Sequence, residues 1–165
     1  PELDPIVEAL GLKVGDLLQT AVQGGIWSAG VPYAIVPVRF AETMANIRIN
    51  TVAFEDAFIT DEPIGVFVVA KASSTEHTTD WRTRMFAPNL GLMEDPATGS
   101  AAAAFAGLIA EQGGLGDGDH SISLFQGLEM GRPSHSRMLL RIEAGKLSEL
   151  MIGGEAVKVA EGVLL

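Results

Sequence analysis

The chain has 165 residues, 47% of them hydrophobic, and carries 21 Asp and Glu against 11 Lys and Arg, a formal net charge of −10 at pH 7. This length and hydrophobic content suffice for one domain with a buried core. The negative charge argues against nucleic acid and membranes as partners, because their anionic groups require a basic protein surface. We therefore expect a small-molecule substrate.

Two absences in the sequence narrow the classes of protein further. The chain has no cysteine, which excludes disulfides, thiolate nucleophiles, thiol-based racemisation and cysteine-bound zinc. No apolar run reaches the roughly 18 to 20 residues that span a bilayer, and residues 1–20 lack a basic start followed by an apolar block. We expect a soluble, cytoplasmic chain without a signal peptide.

The first half of the chain predicts short helices and then mainly strands. Apolar residues around two glycines favour one or two short helices within residues 4–19. Strand-forming residues that follow the turn at Gly30 and Pro32 predict a strand over residues 33–38. Residues 41–49 are predicted as a short helix. Further strands are predicted over residues 52–60, 65–71 and 81–86, the last of them half-buried.

The second half contains a helix that is apolar on every side. Residues 94–100 read EDPATGS and lead directly into the apolar residues 101–110. A helix without a polar face must be surrounded by protein, so we expect its N-terminus to open inside a crevice. Strands are predicted after it, over residues 121–126, 136–142, 147–152 and 156–159. One apolar helix among many short strands predicts an α+β fold with a mostly antiparallel sheet curled around that helix.

The start of this helix is a candidate site for a small anion. The first N–H groups of a helix have no partner within it and carry the positive end of its dipole. Thr98 or Ser100 could cap these groups, and Gly99 lets a ligand approach the backbone. Pro96 favours an extended Asp95, whose carboxylate would face the same space. The alternative is that these polar residues only cap the helix; the apolar helix favours the site.

Other polar residues have simpler interpretations. The histidines His77, His120 and His135 are widely spaced in polar surroundings, so we expect structural or solvated roles and no metal site. Asp117 and Asp119 are predicted to lie in a surface turn, because the EF-hand ligand pattern does not follow them. Three methionines are predicted to fill the core: Met85, Met93 and Met130.

Three linked motifs carry a resemblance to a known family. They are FAPNLGLMEDPATGSA at residues 86–101, QGLEMGRPS at residues 126–134 and GGEAVKVAEG at residues 153–162. Together they resemble the C-terminal half of the phenazine-biosynthesis PhzF family, which shares its fold with diaminopimelate epimerase. The resemblance covers roughly the last half of the chain closely. Residues 27–38 match more loosely, through an S-x-G-x-P turn and an apolar strand.

The resemblance implies a protein of two similar lobes, each a curved sheet around a central helix, with the active site in the cleft where the two helix N-termini face each other. Residues 1–165 would form one lobe, with its core at about residues 20–153 and residues 154–165 crossing to the other lobe. The family's proton-shuttling glutamate and a histidine lie in the N-terminal lobe, for which this chain has no match. We expect the chain alone to be incomplete and inactive, with the N-terminal lobe of the same protein as its partner.

Matched motifs give the expected site residues. Asp95 matches the family aspartate that orients the substrate's amino group, and Gly99 and Ser100 match the positions that hold its carboxylate. Thr98 lies between them and is included among the substrate-binding residues. Arg132 is a further possibility, facing the substrate carboxylate or an acidic group of the other lobe, although its neighbours Gly131 and Pro133 already explain a turn there.

The family reaction is an isomerisation in which a carboxylate moves a proton from one carbon to another, without metal or organic cofactor. The resemblance therefore implies an isomerase, with Asp95 as a catalytic-site residue that is not the general base. Two alternatives stay open. The protein could be a non-catalytic binding or scaffold member of the family, which an upstream segment lacking an acidic residue and a His-containing turn would indicate. The lobe could also pair with a copy of itself as a homodimer, since a cleft face without its partner would be an apolar patch.

Overall fold

The computed structural model describes residues 3–18, 23–58, 63–72 and 79–163. Its first half contains two α-helices, two 3₁₀ helices and four strands. In chain order they are α1 (Leu3–Leu10), a 3₁₀ turn (Val14–Asp16), β1 (Gly25–Ser28), β2 (Pro32–Pro37), a 3₁₀ helix (Ala41–Asn46), α2 (Thr51–Phe58), β3 (Gly65–Lys71) and β4 (Asp80–Ala87). The predicted helices at residues 4–19 and 41–49 are therefore present in shorter form.

The second half contains a single long helix between strands. Its elements are a 3₁₀ turn (Pro88–Leu90), β5 (Leu92–Asp95), α3 (Gly99–Gln112), β6 (Gly118–Gln126), β7 (Ser134–Glu143) and β8 (Lys146–Gly154). Within the described ranges, no helix is both long and apolar enough to span a membrane.

The strands form one strongly curled sheet in the order β1-β2-β3-β4-β6-β7-β8, and β5 pairs with β4 outside this path. Two strand pairs are parallel, β2 with β3 and β4 with β6, and the remaining pairs are antiparallel. The predicted α+β class with a mostly antiparallel sheet around a central helix is confirmed.

The inner face of the sheet packs against α3. Residues 101–110 of α3 are all buried or half-buried, as predicted for a helix without a polar face. The Phe105 ring lies edge-on to Trp81 and Phe67, with centroids 5.0 Å and 6.1 Å away. Small residues let the strands approach closely: a Cβ on Gly107 would lie 3.1 Å from the ring of Trp27. The rings and the small residues together enclose α3 in the curled sheet.

The outer face of the sheet packs against α1, α2 and the 3₁₀ helix at residues 41–46. Its core includes Met44, Phe54 and Phe58 from these helices, together with alternate residues of β3 such as Val66 and Val68. The sheet is therefore buried on both faces where the helices cover it. For this reason β4 is buried on both faces over most of its length, whereas the sequence predicted a half-buried strand.

Two predicted strands are wrong. Residues 51–58 form α2 because Asn50 starts a helix: its Oδ1 accepts the N–H of Ala53 at 3.3 Å, and its carbonyl accepts that of Phe54 at 2.8 Å. Phe54 and Phe58, four residues apart, then share one face of α2. Residues 59–60 lie outside the described residues. The predicted strand at residues 156–159 is exposed and pairs with no described strand.

The central packing around α3 generates the first prediction. Replacing Phe105, which is fully buried, with Ala should lower the free energy of unfolding by about 3–5 kcal/mol, because the change removes apolar contacts and leaves a cavity. The matched control Phe40→Ala removes a half-exposed ring and should cost about 0.5 kcal/mol or less. Denaturant unfolding followed by circular dichroism measures both values. Equal losses would contradict this description of the core.

Candidate active site

The sheet splits along one edge of β4, and the site lies at this split. β6 pairs with Asp80–Arg82, whereas β5 pairs further along, at Met85 and Ala87. The two strands diverge because a tight reversal precedes β5. Pro88 begins the 3₁₀ turn, and Gly91 ends it with a φ of 77°, a left-handed conformation that glycine adopts without strain. The chain therefore folds back and ends β5 at Asp95, just before α3 begins.

Asp95 lies on the inner face of the sheet, the face that packs against α3. Its cross-strand partner is Met85, which belongs to the inner core. The Thr98 hydroxyl donates a hydrogen bond to Asp95 Oδ2 at 2.6 Å. Asp95 Oδ1 accepts no hydrogen bond from any residue in the described ranges, and the residue is half-buried. One carboxylate oxygen is therefore held and the other is available.

The first turn of α3 has no side-chain cap, which contradicts the capping alternative. Thr98 precedes the helix, but its hydroxyl is bound to Asp95 and caps nothing. The Ser100 hydroxyl lies 2.8 Å from the hydroxyl of the buried Tyr33 of β2, and either oxygen can be the donor. Gly99 and Ser100 are exposed, and a Cβ on Gly99 would meet nothing within 4 Å. The start of α3 is therefore open to an approaching anion.

The predicted crevice is not formed by the described residues. Gly99 and Ser100 face solvent. A cavity of about 670 Å³ lies away from these residues, between α1, α2, β1 and β2, and it is lined mainly by apolar residues that include Ile6, Ile35 and Phe58. The structure thus places the site residues on an open surface at the mouth of α3.

Gln126, the last residue of β6, holds the segment between β5 and α3. Its side chain is 5% exposed. Its Nε2 donates to the carbonyl of Asp95 at 2.7 Å and to Thr98 Oγ1 at 3.0 Å, while its Oε1 accepts the N–H of Thr98 at 3.4 Å. Sequence reasoning missed Gln126. The sequence did contain a signal for it: Gln126 is a polar residue at the end of an apolar strand pattern, and it is the first residue of the motif at residues 126–134.

The turn after Gln126 packs against the same segment. Ser134 at the end of this turn donates from its hydroxyl to the carbonyl of Pro96 at 2.6 Å. Gly127 has a φ of 76°, and a Cβ there would lie 2.3 Å from the carbonyl oxygen of Arg132 and 3.0 Å from that of Pro96. The motif at residues 126–134 therefore holds the end of the motif at residues 86–101 in place.

Arg132 is exposed on this turn. Its backbone N–H donates to the carbonyl of Gly127 at 2.9 Å, which closes the turn. Within the described ranges its guanidinium makes no hydrogen bond or ion pair. The structure thus places its backbone against Gly127, and its role in ligand contact stays a prediction.

Two ion pairs hold the outer side of the site. The Arg84 guanidinium binds the Glu94 carboxylate through two hydrogen bonds, of 2.7 Å and 2.8 Å, and Arg84 is 7% exposed. Arg82 pairs with Glu129 of the second motif. Because the first pair joins β4 to β5 and the second joins β4 to the turn after β6, both fix the strands that carry Asp95 and Gln126. Sequence reasoning missed these ion pairs; the two arginines on the outer face of β4 were their signal.

The remaining polar candidates have structural roles. His120 Nε2 lies 2.7 Å from the carbonyl of Gly116, and the His135 ring stacks on Phe125. His77 lies outside the described residues. No group of residues suited to hold a metal occurs in the parts of the chain that the structure describes.

The Asp117 carboxylate accepts the N–H groups of Ala144 and Gly145 in the turn between β7 and β8. Asp119 forms an exposed ion pair with Arg141, whose hydrogen bond lowers the pKa of the Asp119 carboxyl. Both aspartates are exposed, as predicted, and Asp117 lies in a bend; Asp119 lies on β6 and not in a turn.

The methionine prediction is correct for Met85, which is buried, and wrong for Met93. Met93 is 55% exposed, because it lies on β5, the short strand that leaves the main path of the sheet. Met130 is half-buried in the turn after β6.

The chain is similar in sequence to known proteins of one family. Residues 4–162 match the PhzC-PhzF family, described as phenazine biosynthesis-like protein. The chain belongs to this family. It is 40% identical over 167 residues to an uncharacterized isomerase of Mesorhizobium japonicum, covering 99% of this chain and 55% of that protein. It is 42% identical over 84 residues to the trans-2,3-dihydro-3-hydroxyanthranilate isomerase of Pseudomonas aeruginosa, covering 50% of this chain and 29% of that protein.

Solved structures agree with the family assignment. A PhzF-family protein of Bacillus anthracis superposes with a TM-score of 0.82 at 22% identity, covering 99% of this chain and 56% of that one. A predicted epimerase from Pseudomonas aeruginosa gives a TM-score of 0.60 at 26% identity, covering 98% and 54%. The resemblance to the PhzF family and the epimerase-like fold is confirmed. The chain spans about half the length, or less, of these relatives.

The contact between the two PhzF motifs predicts a difference between two glycines of the same turn. Gly127 and Gly131 both have a φ near +70°, but only at Gly127 would a Cβ meet backbone atoms. Gly127→Ala should lower the free energy of unfolding by about 1–3 kcal/mol more than Gly131→Ala, because it also forces Pro96 and Arg132 apart. Denaturant unfolding measures the difference, and equal costs would contradict the proposed packing of the turn.

Proposed function

We propose that the protein to which this chain belongs is a cofactor-independent isomerase, which shifts a proton between two carbons of a small metabolite carrying an amino group and a carboxylate. The observation that carries this proposal is the pairing of a half-buried carboxylate, Asp95, with the uncapped start of α3. The names of the relatives in Mesorhizobium and Pseudomonas support an isomerase.

The two parts of the site suit the two charges of such a substrate. The open N–H groups at Gly99 and Ser100 would hold the substrate carboxylate, because they point outward at the positive end of the helix dipole. The free oxygen of Asp95 would accept a charge-assisted hydrogen bond from the substrate ammonium group. Thr98 would hold Asp95 through its hydroxyl, and Arg132 on the turn after β6 would add a positive charge.

Asp95 is proposed as the residue that orients the substrate and not as the general base. Its Oδ2 already accepts a hydrogen bond from Thr98, so its position is fixed on the wall of the site. The family resemblance implies that the base is a carboxylate of the N-terminal lobe. General acid–base catalysis by such a group contributes about 10² to 10⁴ in rate.

We further propose that the N-terminal lobe of the same protein covers this site. Large apolar side chains stand exposed on the segments that flank Asp95, namely Leu90, Leu92, Met93 and Leu128. Residues 155–163 are also exposed after β8, with Val157, Val159 and Val163 between 84% and 90% accessible. Apolar surface of this kind is typical of a face that packs against another protein surface. The covering lobe would form the crevice that the described residues leave open.

Replacing Asp95 tests the proposed site. In the full-length protein, Asp95→Asn should lower kcat/KM by about 10- to 100-fold, because it weakens a charged hydrogen bond. The assay is proton NMR of deuterium uptake from D₂O into trans-2,3-dihydro-3-hydroxyanthranilate. Asp119→Asn is the matched control, since it changes an exposed aspartate in an ion pair at the end of β6 opposite to Gln126. Wild-type turnover in Asp95→Asn, at an unchanged unfolding temperature, would remove Asp95 from the site.

The exposed apolar residues near Asp95 make a second prediction. If they form a face built for another lobe, the chain of residues 1–165 alone should self-associate as its concentration rises, and Met93→Lys should shift it towards monomer. Val52→Lys on α2, where Val52 is 71% exposed, is the control and should leave the association unchanged. Sedimentation velocity at several concentrations measures both. A strict monomer at all concentrations would contradict the proposed face and homodimer.

A further inference from the structure

The buried side chain of Gln126 forms hydrogen bonds at both ends of its amide. Its Nε2 donates to the Asp95 carbonyl and to Thr98 Oγ1, at 2.7 Å and 3.0 Å. Its Oε1 accepts the Thr98 N–H at 3.4 Å and lies 3.5 Å from the hydroxyl of Thr83 on β4. This residue fills the gap between β5 and β6, the place where the sheet splits.

Two backbone groups determine the orientation of the Gln126 side-chain amide, that is, the positions of its oxygen and its nitrogen. The Thr98 N–H can only donate, so the amide oxygen must face it, and the Asp95 carbonyl can only accept, so the amide nitrogen must face that. Rotating the amide by 180° would place its nitrogen against the Thr98 N–H, both donors, and its oxygen against the Asp95 carbonyl, both acceptors. The orientation of Gln126 therefore follows from its surroundings.

This orientation sets the direction of the Thr98 hydroxyl. Because Thr98 Oγ1 accepts a hydrogen from Gln126 Nε2, its own hydrogen points elsewhere. The acceptor at 2.6 Å is Asp95 Oδ2, and an ionised carboxylate can only accept. The donors thus run in one direction, from Gln126 through Thr98 to Asp95. This series of hydrogen bonds ends at Oδ2 of the Asp95 carboxylate, and within the described residues it leaves Oδ1 without a hydrogen bond.

We propose that Gln126 is a positioning residue, which acts through the Thr98 hydroxyl to hold the Asp95 carboxylate in the orientation that receives the substrate's ammonium group. The inference rests on the proposed function of Asp95 and adds the group that directs it. Gln126 itself is buried behind the segment of residues 95–98 and does not face the site. It therefore affects an ammonium ligand only indirectly, through the positions of Asp95 and Thr98.

A double-mutant cycle in the full-length protein separates this role from a merely structural one. The variants are Gln126→Met, Thr98→Val and the two together. Gln112→Met is the matched control, because Gln112 also binds a backbone N–H, that of Gln23, but at the far end of α3. The measurements are kcat and KM for trans-2,3-dihydro-3-hydroxyanthranilate and the unfolding temperature of each variant. Gln126→Glu, which keeps the Oε1 acceptor, replaces Gln126→Met if the latter does not fold.

We expect Gln126→Met and Thr98→Val each to lose about 10²-fold in kcat/KM, the order of effect that a misplaced active-site group produces. The double variant should lose no more than the less active of the two single variants, because Thr98→Val removes and Gln126→Met misdirects the same hydrogen bond to Asp95. Gln112→Met should stay within about twofold of wild type. In Gln126→Glu the carboxylate takes the Thr98 hydrogen for itself, so the same loss is expected.

Two results would overturn the inference. One is a double variant whose loss equals the product of the single losses, which means that Gln126 and Thr98 act independently. The other is a Gln126 variant that folds and keeps wild-type kcat/KM. If the wild-type protein does not turn over the probe, that result counts against the proposed substrate alone. The positioning role is then decided by a crystal structure of Gln126→Met: a Thr98 to Asp95 contact kept at the wild-type 2.6 Å overturns it, and a lost contact supports it.

Discussion

The fold depends on the enclosure of a helix that has no polar face. Residues 101–110 of α3 are apolar all round, and none of them is fully exposed. Burial of such a helix requires a sheet that curves around it, and the Ala-rich surface of α3 lets strands approach from several sides. Because the helix is enclosed along its length, its first turn is the part that stays open, and the polar segment of the proposed site lies directly before it. The position of the site is thus a consequence of how the core is packed.

A second consequence concerns how the open end of α3 is built. The segment from Pro96 to Thr98, which follows β5, has no regular structure, and it is held by side chains of other elements. Gln126 and Ser134 bind its backbone from the end of β6 and the start of β7, and the pair of Arg84 and Glu94 fixes the strand before it. Hydrogen bonds to charged or buried groups of this kind are costly to break, so the segment is held more rigidly than a free loop. A preorganised carboxylate is what a binding site for an ammonium group requires.

Sequence alone predicted the central helix, most of the strands and the residues at the mouth of α3. These features depend on local patterns: a helix without polar residues, alternation in strands such as β7, and the polar turn that ends at Ser100. Residues 52–60 were predicted as a strand from their apolar content, although residues 52–58 belong to α2; the capping residue Asn50 was the signal for a helix. The roles of Gln126, Tyr33 and Arg84 could not be predicted, because each depends on a partner more than 10 residues away or on the face of a strand that a helix covers. The hydroxyls of Thr98 and Ser100 do not cap the helix because they bind Asp95 and Tyr33 instead.

The central claim is that the mouth of α3 binds both charges of one small molecule. The most direct measurement is a crystal structure of the full-length protein with 3-hydroxyanthranilate, an aromatic analogue of the substrate that names the Pseudomonas relatives. We predict that its carboxylate accepts hydrogen bonds from the N–H groups at Gly99 and Ser100, and that its amino nitrogen lies within hydrogen-bond distance of Asp95 Oδ1. An analogue bound in the same cleft with its amino group away from Asp95, or bound elsewhere on the protein, would contradict the account.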